Sequence, residues 1–193
     1  MDPYVYPGTT VLRNLRGIRD PDEAATVEAL ATAKRLTELH EKPGKGRFDL
    51  EHLRAIHRAL FQDVYDWAGE FRTVNIRRSG QFYFAYAEHI ASTLTSTFDV
   101  LKRENHLAGL DREQFSARAG YFMGELNAIH PFRDGNGRTQ REFIRQLAVR
   151  NGLQLDWSRV TRAQIYEASE TSFSKADNSG LARVIGLAIA AEA

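Results

Sequence analysis

The sequence predicts an all-α (mainly) fold, a bundle of about seven to eight helices with one β-hairpin. Apolar residues recur at steps of three and four through most of the 193 residues, which is the spacing of helices with one buried face. The spacing changes to alternation only between residues 70 and 86, which indicates the hairpin. With 42% hydrophobic and 26% charged residues, the chain is expected to form one domain, residues 1–193, with a core region at about 49–155.

The first two predicted helices each begin at an aspartate. Asp20 precedes Pro21, which suits a first helical turn, and helical spacing continues until the break at Pro43. Asp49 begins the second helix, whose apolar spacing predicts that it continues to about Gly69.

The segment of about residues 70–86 is predicted to form a β-hairpin or an ordered flap. Phe82 and Phe84 alternate with other residues after a turn sequence at 78–81, in which Gly80 favours a reversal of the chain.

Helical spacing resumes near Glu88 and continues to about Asn105. Asp111 followed by Gln114 is the pattern of a capping box, and it predicts a fourth helix that leads directly to His130.

Three more helices are predicted in the last third of the chain. The first of them ends at Gly152, which can adopt the left-handed conformation of a helix C-terminus. The other two are expected near residues 159–172 and 178–192, and no internal repeat, linker or low-complexity tract is found.

Charge, cysteine content and the N-terminus narrow the possible classes of protein. Lys and Arg total 26 against 25 Asp and Glu, so the net charge of +1 gives no support for direct nucleic-acid or membrane binding. Without cysteine, neither a disulfide nor a thiolate site can form. We expect a cytoplasmic protein, because no export signal or membrane-spanning stretch is present, although a specialised secretion system could still deliver it to another cell.

The most unusual chemistry lies in the segment from His130 to Arg141, which reads HPFRDGNGRTQR. Its glycines can turn backbone N–H groups toward one point just before a helix N-terminus, which is a natural site for phosphate. Arg138 and Arg141 are three residues apart, so we expect both on one face in the first turn of that helix, where each can bind phosphate oxygens.

Two further side chains complete this predicted site. Asp134 offers a hard oxygen ligand suited to Mg²⁺ on a polyphosphate, and His130 is a candidate base because its ordinary pKa is near neutral. Each has an ordinary alternative, a packed histidine or a turn aspartate, and Phe132 is interpreted as a core residue. Their combination within twelve residues predicts a Mg²⁺–polyphosphate site.

The segment resembles the signature of Fic-domain proteins, H-x-F-x-[D/E]-G-N-G-R-x-x-R, at every defined position. Residues 2–8, 66–72 and 115–125 also resemble bacterial Fic toxins of toxin–antitoxin modules and related translocated effectors. The resemblance implies a Fic fold with an active-site loop at 130–138, in a bacterial cytoplasm or delivered from one.

The family resemblance also implies an activity, which is transfer of AMP from ATP to a Tyr, Ser or Thr hydroxyl of a target protein with release of pyrophosphate. His130 would accept the proton of the attacking hydroxyl, and Asp134 would hold Mg²⁺ on the phosphates. The residues implied to bind phosphate oxygens are Gly135, Asn136, Gly137, Arg138 and Arg141, the two arginines at the β/γ end.

The predicted hairpin resembles the flap of the family, which lies over the site and binds an extended target segment by strand addition. Ser79 and Gly80 of this flap are implied nucleotide contacts. An ordinary surface hairpin is the alternative interpretation.

A small antitoxin is an implied partner, because an inhibitory helix of the form [S/T]-x-x-x-E-[G/N] is missing. The nearest match, Thr37 with Glu41, fails because Lys42 follows. Such chains resemble the class in which a separate antitoxin supplies the helix in trans.

Three alternatives stay open at this point. The site could transfer UMP, GMP, phosphate or phosphocholine, although the phosphorylating branch has lysine where this chain has Gly137. A Fic fold that binds nucleotide without catalysis is the second. A nucleic-acid-binding module is the third, and the alternation of arginines with acidic residues argues against it.

Overall fold

The computed structural model describes residues 2–42, 46–78 and 82–190. Within these residues the fold is mainly helical with one short antiparallel hairpin, so the predicted fold class is confirmed. The seven α-helices described are α1 Pro21–Glu41, α2 Leu50–Phe61, α3 Ile90–Arg103, α4 Arg112–Ile129, α5 Asn136–Arg150, α6 Arg162–Lys175 and α7 Ser179–Ala188. The strands are β1 Arg77–Arg78 and β2 Phe82–Tyr83.

The predicted N-terminal caps form as the sequence indicates. The Asp20 carboxylate accepts hydrogen bonds from the first backbone N–H groups of α1, and Asp49 does the same for α2. At α4, Asp111 and Gln114 form a complete capping box. These caps satisfy donors that would otherwise lack partners, and they fix where each helix begins.

Helix α4 lies at the centre of the bundle and contacts α3, α5, α6 and α7. Its apolar stripe is buried along its whole length, at Phe115, Ala119, Phe122, Leu126 and Ile129. Close contact with α7 requires a glycine, because a Cβ on Gly120 would lie 2.7 Å from the backbone nitrogen of Ala182. This packing places the C-terminus of α4, and with it His130, at the base of a cleft.

Helix α2 is shorter than predicted, since it ends at Phe61 and turns occupy residues 62–69. Val64 and Tyr65 in these turns are buried in the core, and their backbone N–H groups both donate to the Phe61 carbonyl. Apolar spacing therefore continues past Phe61, and the sequence pattern does not show where α2 ends.

The hairpin is also shorter than the predicted segment 70–86. It pairs Arg77 with Tyr83 and Arg78 with Phe82, whereas residues 70–76 are irregular. The reason is that Arg72 donates its backbone N–H to the Pro131 carbonyl, so the beginning of this segment is bonded to the motif loop. Its last residue, Ile76, still accepts from Phe84 N–H across the hairpin.

Three helix boundaries also differ from the prediction. Helix α5 begins at Asn136, inside the predicted loop 130–138, because Asn136 closes the loop with its own side chain. Helix α6 is shifted toward the C-terminus, since Thr161 caps it in a capping box with Gln164. Helix α7 ends at Ala188, where Ile189 leaves the helix to bridge with Leu155.

Candidate active site

The motif residues surround one open cleft of about 860 Å³. Its floor is the loop between α4 and α5, and its walls are α1 on one side and the segment 157–169 on the other. The lining residues are Ala25, Glu28, Arg78, Met123, Asn127, His130, Asp134, Gly135, Asn136, Gly137, Arg138, Gln140, Arg141, Trp157, Val160, Arg162, Ile165, Tyr166 and Ser169. Seven of the nine residues predicted for the site therefore line the same space.

His130 ends α4 in a left-handed backbone conformation, with φ of 49°. Its Nδ1–H donates to the Asn127 carbonyl oxygen at 3.4 Å, so Nε2 is the nitrogen without a proton when the ring is neutral. The ring stacks on Phe84, just after β2, with centroids 3.9 Å apart. The helix end and the flap thus hold the imidazole from two sides.

The surroundings of His130 favour its neutral form. Burial, opposed only in part by the bond to Asn127, lowers its pKa to about 3, and the positive charges of Arg72 and Arg78 act in the same direction. A neutral imidazole with an unprotonated Nε2 can accept a proton from a hydroxyl group.

Arg72 fixes the backbone on both sides of His130 and was not identified from the sequence as a functional residue. Its side chain is 2% exposed and donates to the His130 carbonyl at 2.8 Å. The other carbonyl oxygens that it binds belong to Val74, Ala85 and Ile129. Burial lowers the pKa of Arg72 to about 10, so it remains charged at neutral pH. One guanidinium thereby joins the end of α4 to both sides of the flap.

His57, on α2, fixes the next part of the loop and was also missed. Gly69 N–H donates to its Nδ1 at 2.8 Å, and Nε2–H donates to the Asp134 carbonyl at 3.1 Å. The ring lies between Phe61 and Phe132, with centroids 4.6 and 3.8 Å away. Burial lowers the pKa of His57 to about 4, which keeps it in this one neutral tautomer.

The loop itself needs a glycine and an asparagine. Gly135 has φ of 78°, and a Cβ there would lie 2.3 Å from the Phe61 ring. Asn136 is buried, and its amide both accepts from Phe132 N–H and donates to the Phe132 carbonyl. Gly137 is exposed to the cleft. The Asn136 side chain is bonded to Phe132 and therefore does not cap the first backbone amides of α5. These amides are available to an anion.

Asp134 points into the cleft beside two charged residues. One carboxylate oxygen accepts from Gly135 N–H at 2.5 Å, and the side chain is 46% exposed. Partial removal from water inside the cleft and the negative charge of Glu28 raise the pKa of Asp134. The hydrogen bond from Gly135 N–H and the positive charge of Arg138, 4.0 Å away, lower it.

The donor set around Asp134 suits Mg²⁺ held largely by phosphate and water. Within the described residues, no group of three or more His, Cys, Asp or Glu side chains could enclose a metal ion. One hard carboxylate at the edge of an open anion site is the arrangement in which Mg²⁺ binds through substrate phosphates.

The two motif arginines differ in their surroundings. Arg138 is in the first turn of α5, as predicted, and it forms an ion pair with Glu28 of α1 at 2.5 Å. Arg141 is in the second turn, one turn later than predicted, because the helix begins at Asn136.

The Arg141 guanidinium has no hydrogen bond or ion pair to any described residue. Burial lowers its pKa, and so do the positive charges of Arg138 and Arg162. Trp157 holds the backbone beneath it by donating its indole N–H to the Arg141 carbonyl at 3.0 Å. A half-buried guanidinium whose charged neighbours are also cations suits an anion-binding site.

Ser79 and Gly80, the predicted flap contacts, lie outside the described residues. The strands that flank them are described, and Arg78 joins the flap to α6 through an ion pair with Glu170 at 2.6 Å. Arg78 also donates to the Asn127 side chain, which places β1 directly over the helix end that bears His130.

The cleft brings together a neutral histidine, an acidic side chain, helix N-terminal amides and an arginine that has no carboxylate partner among the described residues. This combination suits a ligand that carries phosphate. Residues 47–148, just over half of the chain, match the model of the Fic/DOC family. The chain belongs to this family.

Two curated bacterial relatives are similar over most of this chain. VbhT of Bartonella schoenbuchensis, named a protein adenylyltransferase, is 48% identical over 172 residues, which are 89% of this chain and 36% of that relative. The probable protein adenylyltransferase y4lH of Sinorhizobium fredii is 41% identical over 174 residues, which are 90% of this chain and 88% of the relative. The chain thus spans about a third of the first relative and most of the second.

A solved structure has the same fold. BepC of Bartonella tribocorum, a VirB-translocated effector with bound AMPPNP, matches with a TM-score of 0.92 at 26% identity. The match covers 98% of this chain and 97% of that chain.

No helix in residues 2–42, 46–78 or 82–190 is long and apolar enough to cross a membrane.

Proposed function

We propose that this chain is a protein adenylyltransferase, which transfers AMP from ATP to a hydroxyl group of a target protein and releases pyrophosphate. The observation that carries the proposal is the joint position of His130, Asp134 and Arg141 around one cleft. Two curated relatives with 48% and 41% identity bear the name of this activity, and a similar structure contains an ATP analogue.

His130 acts as the general base. Its unprotonated Nε2 accepts the proton of a Tyr, Ser or Thr hydroxyl, whose oxygen attacks the α-phosphorus while the bond to pyrophosphate breaks. The stacked Phe84 and the hydrogen bond to Asn127 orient the ring before substrate arrives. Positioning of this kind is a large part of phosphoryl-transfer catalysis.

The loop and helix α5 hold the phosphates. We assign the amides of Asn136 and Gly137 to phosphate oxygens, with Arg138 and Arg141 toward the β/γ end. The Gly135 N–H, also predicted for this role, donates to the Asp134 carboxylate instead. Two observations support this assignment. Gly135 at the start of α5 has no side chain that could cap the helix, and the Asn136 side chain is bonded to Phe132, so no side chain of the described residues occupies the first amides of α5. Asp134 is the residue that would hold Mg²⁺, and a bound Mg²⁺ would neutralise charge on the phosphates.

The test uses ATP labelled at either the α- or the γ-phosphate, incubated with purified chain and a bacterial lysate. Label on a protein from the α-phosphate alone is expected, and His130→Ala is expected to abolish it. A matched control is His89→Ala, since His89 lies on the surface away from the cleft and should leave transfer unchanged.

Other outcomes would favour the alternatives. Protein label from the γ-phosphate would replace the proposal with kinase chemistry. Parallel reactions with labelled UTP and GTP measure base preference, and higher transfer from either would reassign the nucleotide. Nucleotide binding with no label from any donor would indicate a non-catalytic Fic fold.

We further propose that the target docks on the flap and that a small antitoxin restrains the enzyme in a bacterial cytoplasm. Phe82 and Tyr83 of β2 are exposed, which suits contact with a target segment. A second cavity of about 380 Å³ adjoins Arg141 and includes Leu36 and His40 of α1, which leaves room for a carboxylate from another protein. Expression of the chain alone should then arrest bacterial growth, whereas the His130→Ala variant should not.

A further inference from the structure

Helix α1 contributes an acidic side chain, Glu28, to the wall of the cleft. One of its carboxylate oxygens accepts from the Arg138 guanidinium at 2.5 Å, and the other accepts from the Tyr65 hydroxyl. The Glu28 side chain is 17% exposed, so this pair is partly shielded from water. Glu28 lies outside the residues 47–148 that match the family model.

Glu28 is one of three contacts that immobilise Arg138. The second is the Thr32 hydroxyl, one turn further along α1, to which Arg138 donates at 3.3 Å. The third is the Phe61 ring, whose centroid lies 4.6 Å from the guanidinium carbon. The arginine is therefore held in one orientation by α1 and α2 before any ligand is bound.

Asp134 is the alternative partner of this arginine. Its carboxylate is 4.0 Å from Arg138, which follows it by four residues, and Glu28 is much closer. If the Glu28 charge is removed, the arginine is attracted to Asp134. A direct Arg138–Asp134 pair would withdraw a carboxylate from Mg²⁺ and a cation from phosphate at the same time.

We propose that Glu28 is a positioning residue for nucleotide transfer, which fixes the Arg138 guanidinium toward the cleft and keeps it from pairing with Asp134. This inference rests on the proposed function and extends the site to helix α1. Glu28 acts through Arg138 and does not itself contact the reacting atoms.

The test replaces Glu28→Gln, which removes the charge but keeps the size and an acceptor for Tyr65. We expect KM for ATP to rise and kcat to fall, with kcat/KM reduced on the order of 10- to 100-fold. The melting temperature should change little, and Glu28→Asp should restore part of the activity. The matched control is Glu38→Gln on the same helix, because Glu38 pairs with Arg35 away from the cleft.

A double-mutant cycle decides whether Glu28 acts through Arg138. In an Arg138→Gln background, Glu28→Gln should cause little further loss of kcat/KM. An equal loss in both backgrounds, or wild-type kinetics of the single Glu28→Gln variant, would overturn the inference. Should Glu28→Gln unfold, Tyr65→Phe supplies the second variant, since it removes a hydroxyl that holds Glu28 and is expected to raise KM in the same direction.

Calorimetric binding of a non-hydrolysable ATP analogue, with and without Mg²⁺, separates this inference from the proposed function. Weaker binding by Glu28→Gln, with a smaller gain from Mg²⁺ than in the wild type, is expected. If the wild-type protein binds the analogue but transfers no AMP from ATP, the proposed function is wrong. The ratio of the binding constants of the wild-type protein and the Glu28→Gln variant would still decide the role of Glu28. Equal binding constants in the two proteins would reject that role.

Discussion

The His57 side chain holds the backbone of Asp134, because its Nε2–H donates to the Asp134 carbonyl at 3.1 Å. The same ring accepts from Gly69 N–H, so one residue on α2 joins the motif loop to the turn that follows this helix. Both ring nitrogens are occupied, and the side chain is completely buried. The position of the proposed metal ligand therefore depends on a residue 77 positions away in the chain.

Replacement of His57→Ala should lower both stability and activity. It leaves Gly69 N–H and the Asp134 carbonyl without partners and creates a cavity between two phenylalanine rings, for a loss of about 3 kcal/mol in unfolding free energy. Chemical denaturation measures this loss. His57→Gln, which keeps a donor but not the stacked ring, should lose less, and an unchanged midpoint in both variants would contradict the structural role.

Acid should destabilise the protein before carboxylates titrate. The folded-state pKa of His57 is lowered to about 4, so below pH 6.5 the unfolded chain binds a proton that the folded chain does not. Stability should fall as pH decreases from about 6.5 toward 4, by about 1.4 kcal/mol per pH unit for His57 alone. Denaturation at several pH values measures this slope, which should be smaller in His57→Gln.

Replacement of Arg72→Met should prevent or severely weaken folding. Four carbonyl oxygens accept from this buried guanidinium. Its loss is expected to cost about 3–5 kcal/mol, since each buried carbonyl left without a donor costs about 1–3 kcal/mol. Arg72→Lys should recover only part, since an ammonium has three donors and no planar fork. Circular dichroism and thermal unfolding test this. A stable Arg72→Met variant would show that the fold does not depend on the hydrogen bonds of this guanidinium.

Replacement of Arg141→Ala should weaken ATP binding without unfolding the protein. The guanidinium has no partner among the described residues, so its loss should leave the melting temperature unchanged or slightly higher. Loss of a charge-assisted contact to phosphate is expected to weaken ATP binding by about 10- to 100-fold, with little effect on AMP. Calorimetry with ATP and AMP checks this. Equal weakening of both would mean that Arg141 contacts a part that the two nucleotides share, and not the β- or γ-phosphate.

The starts of helices α1, α2 and α4 were predictable from the sequence. Asp20, Asp49 and Asp111 mark starts because a cap is a local interaction between a side chain and amides two or three residues later. The end of α2 was not predictable, because buried Val64 and Tyr65 continue an apolar pattern after the helix has stopped.

By itself, the sequence determined the helical class, the starts of α1, α2 and α4, and the clustering of His130, Asp134 and the motif arginines in one short segment. These properties depend on neighbours along the chain, so spacing and residue type express them. The tertiary structure alone decided what supports that loop. Arg72, His57 and Glu28 reach it from distant segments, and the pairing of each depends on how helices pack in space. It also distinguished Arg138, which is held by α1, from Arg141, because a carboxylate 110 residues away lies beside only one of them.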